Sequence, residues 1–253
     1  MGLSSKIEWT EATWNPVTGC TKVSPGCTHC YAERLAHRLQ GSGMQRYANG
    51  FKVTVHPDVL ALPLLWKRPS LVFVDSMGDL FHDDVPFDFI ARAFRVMEEA
   101  GHHTFQVLTK RAQRLAELAP RLSIPQNVWI GVSVESDDYV VRADLLRMVR
   151  CKVRFLSLEP LLGPLPSLSL EGIDWVVVGG ESGPQARPMK AEWARQMRQK
   201  CQGEAVPFFF KQWGGRNRRA AGRLLDVRLW DEMPQGFERR IKTTPSTVAL
   251  VPG

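Results

Sequence analysis

LVFVDSMGDLFHDDVPFDFIARAFRVMEEAGHHTFQVLTK, residues 71–110, holds one complete strand–helix–strand unit. Leu71–Asp75 is apolar until its last residue, and a strand without polar alternation belongs in a sheet covered on both faces. In Phe87–Ala100, Phe87, Ile90, Ala91, Phe94 and Met97 recur at helical spacing, which predicts a helix side turned to the core. Thr104–Leu108 is a second apolar run. Two buried strands joined by a helix lie side by side and parallel. Each strand exits directly into polar groups: Asp75-Ser76-Met77-Gly78-Asp79 after the first, Thr109-Lys110-Arg111 after the second.

The unit recurs along the chain. Further strands are predicted at Val128–Val132, Val153–Leu158, Trp175–Val178 and Val206–Phe210, with a weaker first strand near Thr13–Thr18. Helices are predicted at Tyr31–Leu39, Ala112–Ala119, Tyr139–Val149 and Ala191–Lys200. Six or seven such units make an α/β chain that fits a partial TIM-type (β/α)6–7 barrel, in a single domain, better than a doubly wound sheet. Residues 1–240 are assigned to that domain, and the Thr/Pro/Val-rich 241–253 to a flexible tail. Gly41–Asn49 reads as a long, mobile insertion.

Chemistry in such barrels collects on the loops that leave the strands. The remaining exits are Ser133-Val134-Glu135-Ser136, Ser157-Leu158-Glu159-Pro160, Gly179-Gly180-Glu181-Ser182 and Lys211-Gln212-Trp213. Together they predict a charged mouth, with Glu159 and Glu181 as catalytic carboxylates and Glu181 facing substrate.

Hydrophobic residues make up 44% of the 253, enough for a large buried core. Lys and Arg number 33 against 26 Asp and Glu, and the resulting +7 suits a polyanionic partner. The segment Lys211–Arg219 adds Lys211, Trp213, Arg216, Arg218 and Arg219, a set suited to phosphate contacts and base stacking on nucleic acid. No run approaches the ~20 apolar residues of a membrane span, and the N-terminus lacks the apolar core of a secretory signal. A cytoplasmic location is therefore expected. In that reducing compartment, five cysteines point to a metal or catalytic site before disulfides.

Three of them fall in Cys20-Thr-Lys-Val-Ser-Pro-Gly-Cys27-Thr-His-Cys30, just after the first strand, with Pro25-Gly26 turning the loop. Thiolates suit zinc or iron–sulfur. A structural zinc wants four closed ligands, which His29 or His37 would complete; that reading makes the chain a zinc-containing nucleic-acid-binding protein without radical chemistry. Three cysteines at a catalytic mouth favour an iron–sulfur cluster with one iron open to an external ligand. Cys151 and Cys201 stand alone in other units and are assigned no role.

A three-cysteine loop after the first strand of a partial barrel resembles the radical S-adenosylmethionine (SAM) superfamily, with a first gap of six residues in place of the usual three. Cys-x2-Cys-Tyr, Asp75–Asp79, Leu-Thr-Lys at 108–110 and Leu-Glu-Pro at 158–160 are similar to the branch containing spore photoproduct lyase. Thr-Trp-Asn-Pro-Val-Thr-Gly-Cys (13–20), Gly-Gly-Glu-Ser-Gly (179–183), Phe-Lys-Gln-Trp-Gly (210–214) and Gly-Arg-Leu-Leu-Asp (222–226) resemble a bacteriophage-associated protein family. The resemblance implies a barrel of radical SAM type with a [4Fe–4S] cluster on Cys20, Cys27 and Cys30. It further implies SAM as co-substrate, cleaved to a 5′-deoxyadenosyl radical, and an electron donor such as flavodoxin or ferredoxin. Lys110 would meet the SAM carboxylate, Ser76 and Asp79 its amino group, and Ser133 and Glu135 the ribose or amino group. The substrate implied is a nucleic acid or nucleotide, in repair or modification.

Overall fold

Seven parallel strands form one sheet in the order in which the chain lays them down. In the computed structural model, which describes residues 5–217, 221–234 and 236–237, these are β1 (Ala12–Trp14), β4 (Leu71–Val74), β5 (Thr104–Thr109), β6 (Val128–Ser133), β7 (Val153–Leu158), β8 (Trp175–Gly179) and β9 (Phe208–Gln212). Each neighbouring pair is parallel. A doubly wound sheet reverses its strand order at a switch point; no reversal occurs here. A small antiparallel pair, β2 (Val17–Thr18) and β3 (Thr54–Val55), stands beside the main sheet.

The two strand faces separate cleanly. Val72, Val74, Val107, Ile130, Val132, Leu156, Val176 and Phe210 turn outward into the main core, beneath the helices. Phe73, Trp129, Phe155, Trp175, Val177 and Phe209 turn inward around Trp9. The Trp9 ring lies 4.7 Å from Phe73 on β4 and 6.1 Å from Trp175 on β8. A flat sheet would hold strands four places apart at about 19 Å, so the sheet is curled into a half-barrel whose lumen Trp9 plugs. Gly131 permits this packing, because a Cβ there would sit 2.4 Å from the Phe155 ring.

Helices α1 (Tyr31–Gly41), α2 (Phe87–Glu99), α3 (Ala112–Leu118), α4 (Val141–Arg147) and α5 (Ala191–Gly203) cover the outside. On α2 the buried stripe is Phe89, Ile90, Ala93, Phe94 and Met97. Phe87, expected in that stripe, instead sits at the rim under the Arg121 guanidinium, 4.0 Å from its ring centre. No helix joins β7 to β8. Pro160, Gly163, Pro164 and Pro166 break helical hydrogen bonding there, and Leu161, Leu165, Leu168 and Leu170 fill the core in its place.

The stretch after α1 departs from the mobile insertion expected. Gln45–Tyr47 forms a 3-10 turn, and Tyr47 is buried in a small core with Ala32, Ala36 and Met77, joined by Phe51. Tyr47 within the stretch gives it a surface to bury, which the polar residues around it concealed. The C-terminal tail expected at 241–253 lies outside the described residues. Among the described residues no helix is long and apolar enough to cross a membrane.

Candidate active site

The strand expected near Thr13–Thr18 is split into β1 and β2, and the cysteine loop follows β2. Pro25–Cys27 forms the turn that its Pro-Gly predicts, and Cys30 starts α1. All three thiols line one cavity of about 670 Å³, together with Ser76, Asp79, Lys110, Ser133, Glu159, Glu181, Lys211 and Arg216. Of the residues expected at the mouth, Glu135 lies one layer deeper, fully buried. Cys201 is on the buried face of α5 and Cys151 packs against the outer core, and neither lines the cavity.

Burial pushes the Cys20 thiol up to about 11, with Asp79 adding to the effect and Arg111 opposing it. Cys30 is raised as well, chiefly by burial. Binding of metal by these thiols would therefore release protons.

Three strand-end carboxylates brace the loop, each through donors the sequence did not advertise. Asp79 accepts from the Thr109 hydroxyl at 2.7 Å and from the backbone of Phe81 at 3.0 Å and Lys110 at 3.3 Å. Arg111, buried, reaches Asp79 at 3.5 Å, the Cys20 sulfur at 3.4 Å and the Thr21 hydroxyl at 2.7 Å. Both Asp79 oxygens are thus occupied by the protein.

Glu135 pairs with Arg142 at 2.9 Å and Lys110 at 3.3 Å, and accepts the Gly26 N–H at 3.3 Å. A side chain at Gly26 would press on the Glu135 carboxyl, which a Cβ would approach to 3.0 Å. Burial opposes its charge, yet Lys110, the Ser24 hydroxyl and Arg142 hold this carboxyl below the ordinary carboxylate range.

Glu181 receives four donors. Arg187 supplies its backbone N–H at 2.8 Å, Nε at 2.9 Å and Nη2 at 2.6 Å, and the His29 Nδ1 lies at 3.1 Å. Burial works against the carboxylate, but these bonds hold it at about 2. Glu181 lines the cavity, as its sequence position had suggested, with its oxygens engaged by Arg187 and His29. Glu159 is paired with Lys211 at 2.9 Å and accepts the Ser157 hydroxyl at 3.1 Å.

Asp75, the first of the strand-exit polar residues, is a further acceptor. It is buried, lines the cavity, and has a backbone φ of 57°, unusual for a non-glycine residue. One carboxyl oxygen takes the Val17 N–H at 2.9 Å, and the other is without a partner among the described residues. Burial raises its carboxyl well above the usual range. Beside it the Ser76 hydroxyl donates to Asn15 Oδ1 at 3.1 Å.

The expected nucleic-acid segment is only partly free. Trp213 stacks edge-on against Phe210 at 4.8 Å and gives its indole N–H to the Leu224 carbonyl, and it does not line the cavity. Lys211 is held by Glu159, Arg216 is exposed at the lip, and Arg218 and Arg219 lie outside the described residues. Of the two histidines that would complete a zinc site, His29 meets Glu181 through Nδ1, leaving Nε2, and His37 is exposed on α1. Among the described residues no three His, Cys, Asp or Glu side chains converge on a single-ion site. A cluster makes a different demand, because each thiolate meets a separate iron.

The sequence gives no signal for Arg142 and Arg187, shows Arg111 and Asp75 only as strand-exit residues, and shows His29 only as a possible zinc ligand. One signal pointed to Arg111: a carboxylate buried at a strand end requires a counter-charge, and Arg111 adjoins Lys110.

The chain is similar in fold to spore photoproduct lyase. Against a cysteine-to-serine mutant of that protein the TM-score is 0.49 at 16% identity, covering 78% of this chain and 62% of the other. Against the same protein complexed with dinucleoside spore photoproduct it is 0.43 at 13% identity, covering 73% and 59%. Against a mutant with bound AdoMet and dinucleoside spore photoproduct it is 0.41 at 12% identity, covering 74% and 59%. The chain thus spans about six-tenths of the length of those chains. No curated protein sequence matches it. A family profile does match, over residues 4–234, and by that match the chain belongs to the family described as "Protein of unknown function (DUF5131)".

Proposed function

We propose that this chain is a radical SAM-type enzyme, with a [4Fe–4S] cluster on Cys20, Cys27 and Cys30 and SAM in the adjoining cavity. The observation that carries the reading is the set of three thiols, from one loop, lining a single cavity at the strand-exit face of a parallel half-barrel. No fourth cysteine reaches that cavity, which suits a cluster with one iron left open. Such a cluster, when bound, supplies an electron that splits the SAM sulfonium into methionine and a 5′-deoxyadenosyl radical.

The chain's own residues fit the second ligand too. Lys110 is a cation at the cavity wall, its Nζ steered by Glu135, and would meet the SAM carboxylate. The unpartnered Asp75 oxygen suits an ammonium group, and a cation there would draw its carboxyl back toward the charged form. Trp9 and Phe73 floor the cavity with apolar surface, which excludes water from a radical. The net charge of +7, with Arg34 and Arg216 at the lip, favours an anionic substrate, a nucleotide or nucleic acid.

Reduced anaerobically with dithionite, the reconstituted protein is expected to convert SAM to 5′-deoxyadenosine. Lys110→Ala removes a charge-assisted contact of about 1.5–3 kcal/mol and is expected to raise the KM for SAM about tenfold or more. An iron-loaded protein that never forms 5′-deoxyadenosine would reject the assignment.

A further inference from the structure

We infer that Glu181 and Arg187 form a latch that fixes the shape of the cysteine loop, so the exit of β8 positions the three thiols. The consequence for a cluster rests on the function proposed above; the latch itself belongs to the metal-free chain.

The loop is gripped on both sides of Cys27. On one side, the Arg187 Nη2 that holds Glu181 Oε1 also donates to the Pro25 carbonyl at 2.8 Å. On the other, His29 Nδ1 meets Glu181 Oε2 at 3.1 Å. Arg34 adds a second tie between the same two loops, donating to the His29 carbonyl at 3.1 Å and to the Ser182 carbonyl at 3.0 Å. A loop of eleven residues with one 3-10 turn has little hydrogen bonding of its own. Its Pro25 carbonyl accepts the Thr28 N–H and hydroxyl from within the loop, and Arg187, beyond the β8 exit, adds a donor from outside it.

A bidentate arginine–carboxylate pair is directional as well as strong. The Glu181 side chain is 5% exposed, so water does not compete for its oxygens. Arg187 is therefore set at one angle, and its Nη2 reaches Pro25 only while Glu181 holds it there. Glu181→Gln turns one acceptor into a donor facing a donor, which unseats Arg187 and releases Pro25 and His29 together. Residues 24–30 would then keep the Gly26 N–H bond to Glu135 and the Arg34 bond to the His29 carbonyl, but lose both ties to Glu181 and Arg187.

Hydrogen–deuterium exchange on the metal-free protein tests the latch without any cluster. Residues 24–30 are expected to be protected in the wild type and to exchange about tenfold faster or more in Glu181→Gln, with strands β5 and β6 unchanged. Arg187→Lys, a milder change that keeps the charge and loses the fork, is the second variant should Glu181→Gln unfold, and its expected effect is the same in sign. After anaerobic reconstitution the variants are expected to show a shifted or broadened EPR signal from the reduced cluster, which a loss of stability elsewhere would not produce. Unchanged exchange at 24–30 in both variants would overturn the latch, as would a wild-type loop that exchanges at the unprotected rate. A wild type that takes up no iron would instead reject the proposed function and leave the exchange result standing.

Discussion

Cys27→Ala is expected to strip the protein of its iron, from about four atoms per chain to fewer than about one, and to reduce 5′-deoxyadenosine formation to background. Only three thiols reach the cavity, so each holds a separate corner of the cluster and none has a substitute. The fold is expected to survive. Cys27 is half-buried, lies outside the three hydrophobic cores, and its sulfur has a single polar neighbour, the Ser24 hydroxyl at 3.8 Å. Cys151→Ala is the matched control, because that thiol packs beneath the outer layer and should leave iron content unchanged. Metal analysis alongside a thermal melt checks both; a Cys27→Ala protein that keeps its iron contradicts the ligand assignment.

The largest effect on folding is expected at Glu135. It is fully buried between Lys110 and Arg142 and takes the Gly26 N–H besides. Glu135→Ala leaves the buried Arg142 guanidinium without its counter-ion, at a cost of about 3–5 kcal/mol. Urea denaturation should show this as a lowered midpoint, with Glu135→Gln less affected because an amide oxygen still accepts one donor. The pH dependence has a definite sign. The folded carboxyl lies below its ordinary range, so its stabilisation is present above that range and is lost as pH falls through the folded value. Both variants should flatten that acid limb; a wild-type and Glu135→Ala pair with equal midpoints would contradict the account.

Much of the fold was legible because strands buried on both faces write themselves as apolar runs. β7 was predicted at its observed bounds, and β9 was displaced by only two residues, past Pro207. The helix on residues 87–99 was found, but its buried stripe turned toward Phe89 and Ala93, since local spacing does not record which side faces the sheet. The cysteine loop and the strand exits were likewise legible, as residue types at fixed places in the chain.

How the exits pair was not. Glu181 and His29 are 152 residues apart, and Glu135 and Gly26 are 109 apart. No periodicity links such positions; only the curl of the sheet brings them to one mouth. Trp213 looked like a free stacking surface for a different reason: residue types alone do not show that the Phe210 ring, three residues earlier, meets it edge-on.

The central claim stands or falls on the metal. The wild-type protein, purified and reconstituted without oxygen, is to be analysed for iron, sulfide and zinc, and its reduced form examined by low-temperature EPR with and without SAM. The account predicts about four irons and four sulfides per chain, with a spectrum that changes when SAM is added. One zinc per chain, with no iron taken up, would contradict it.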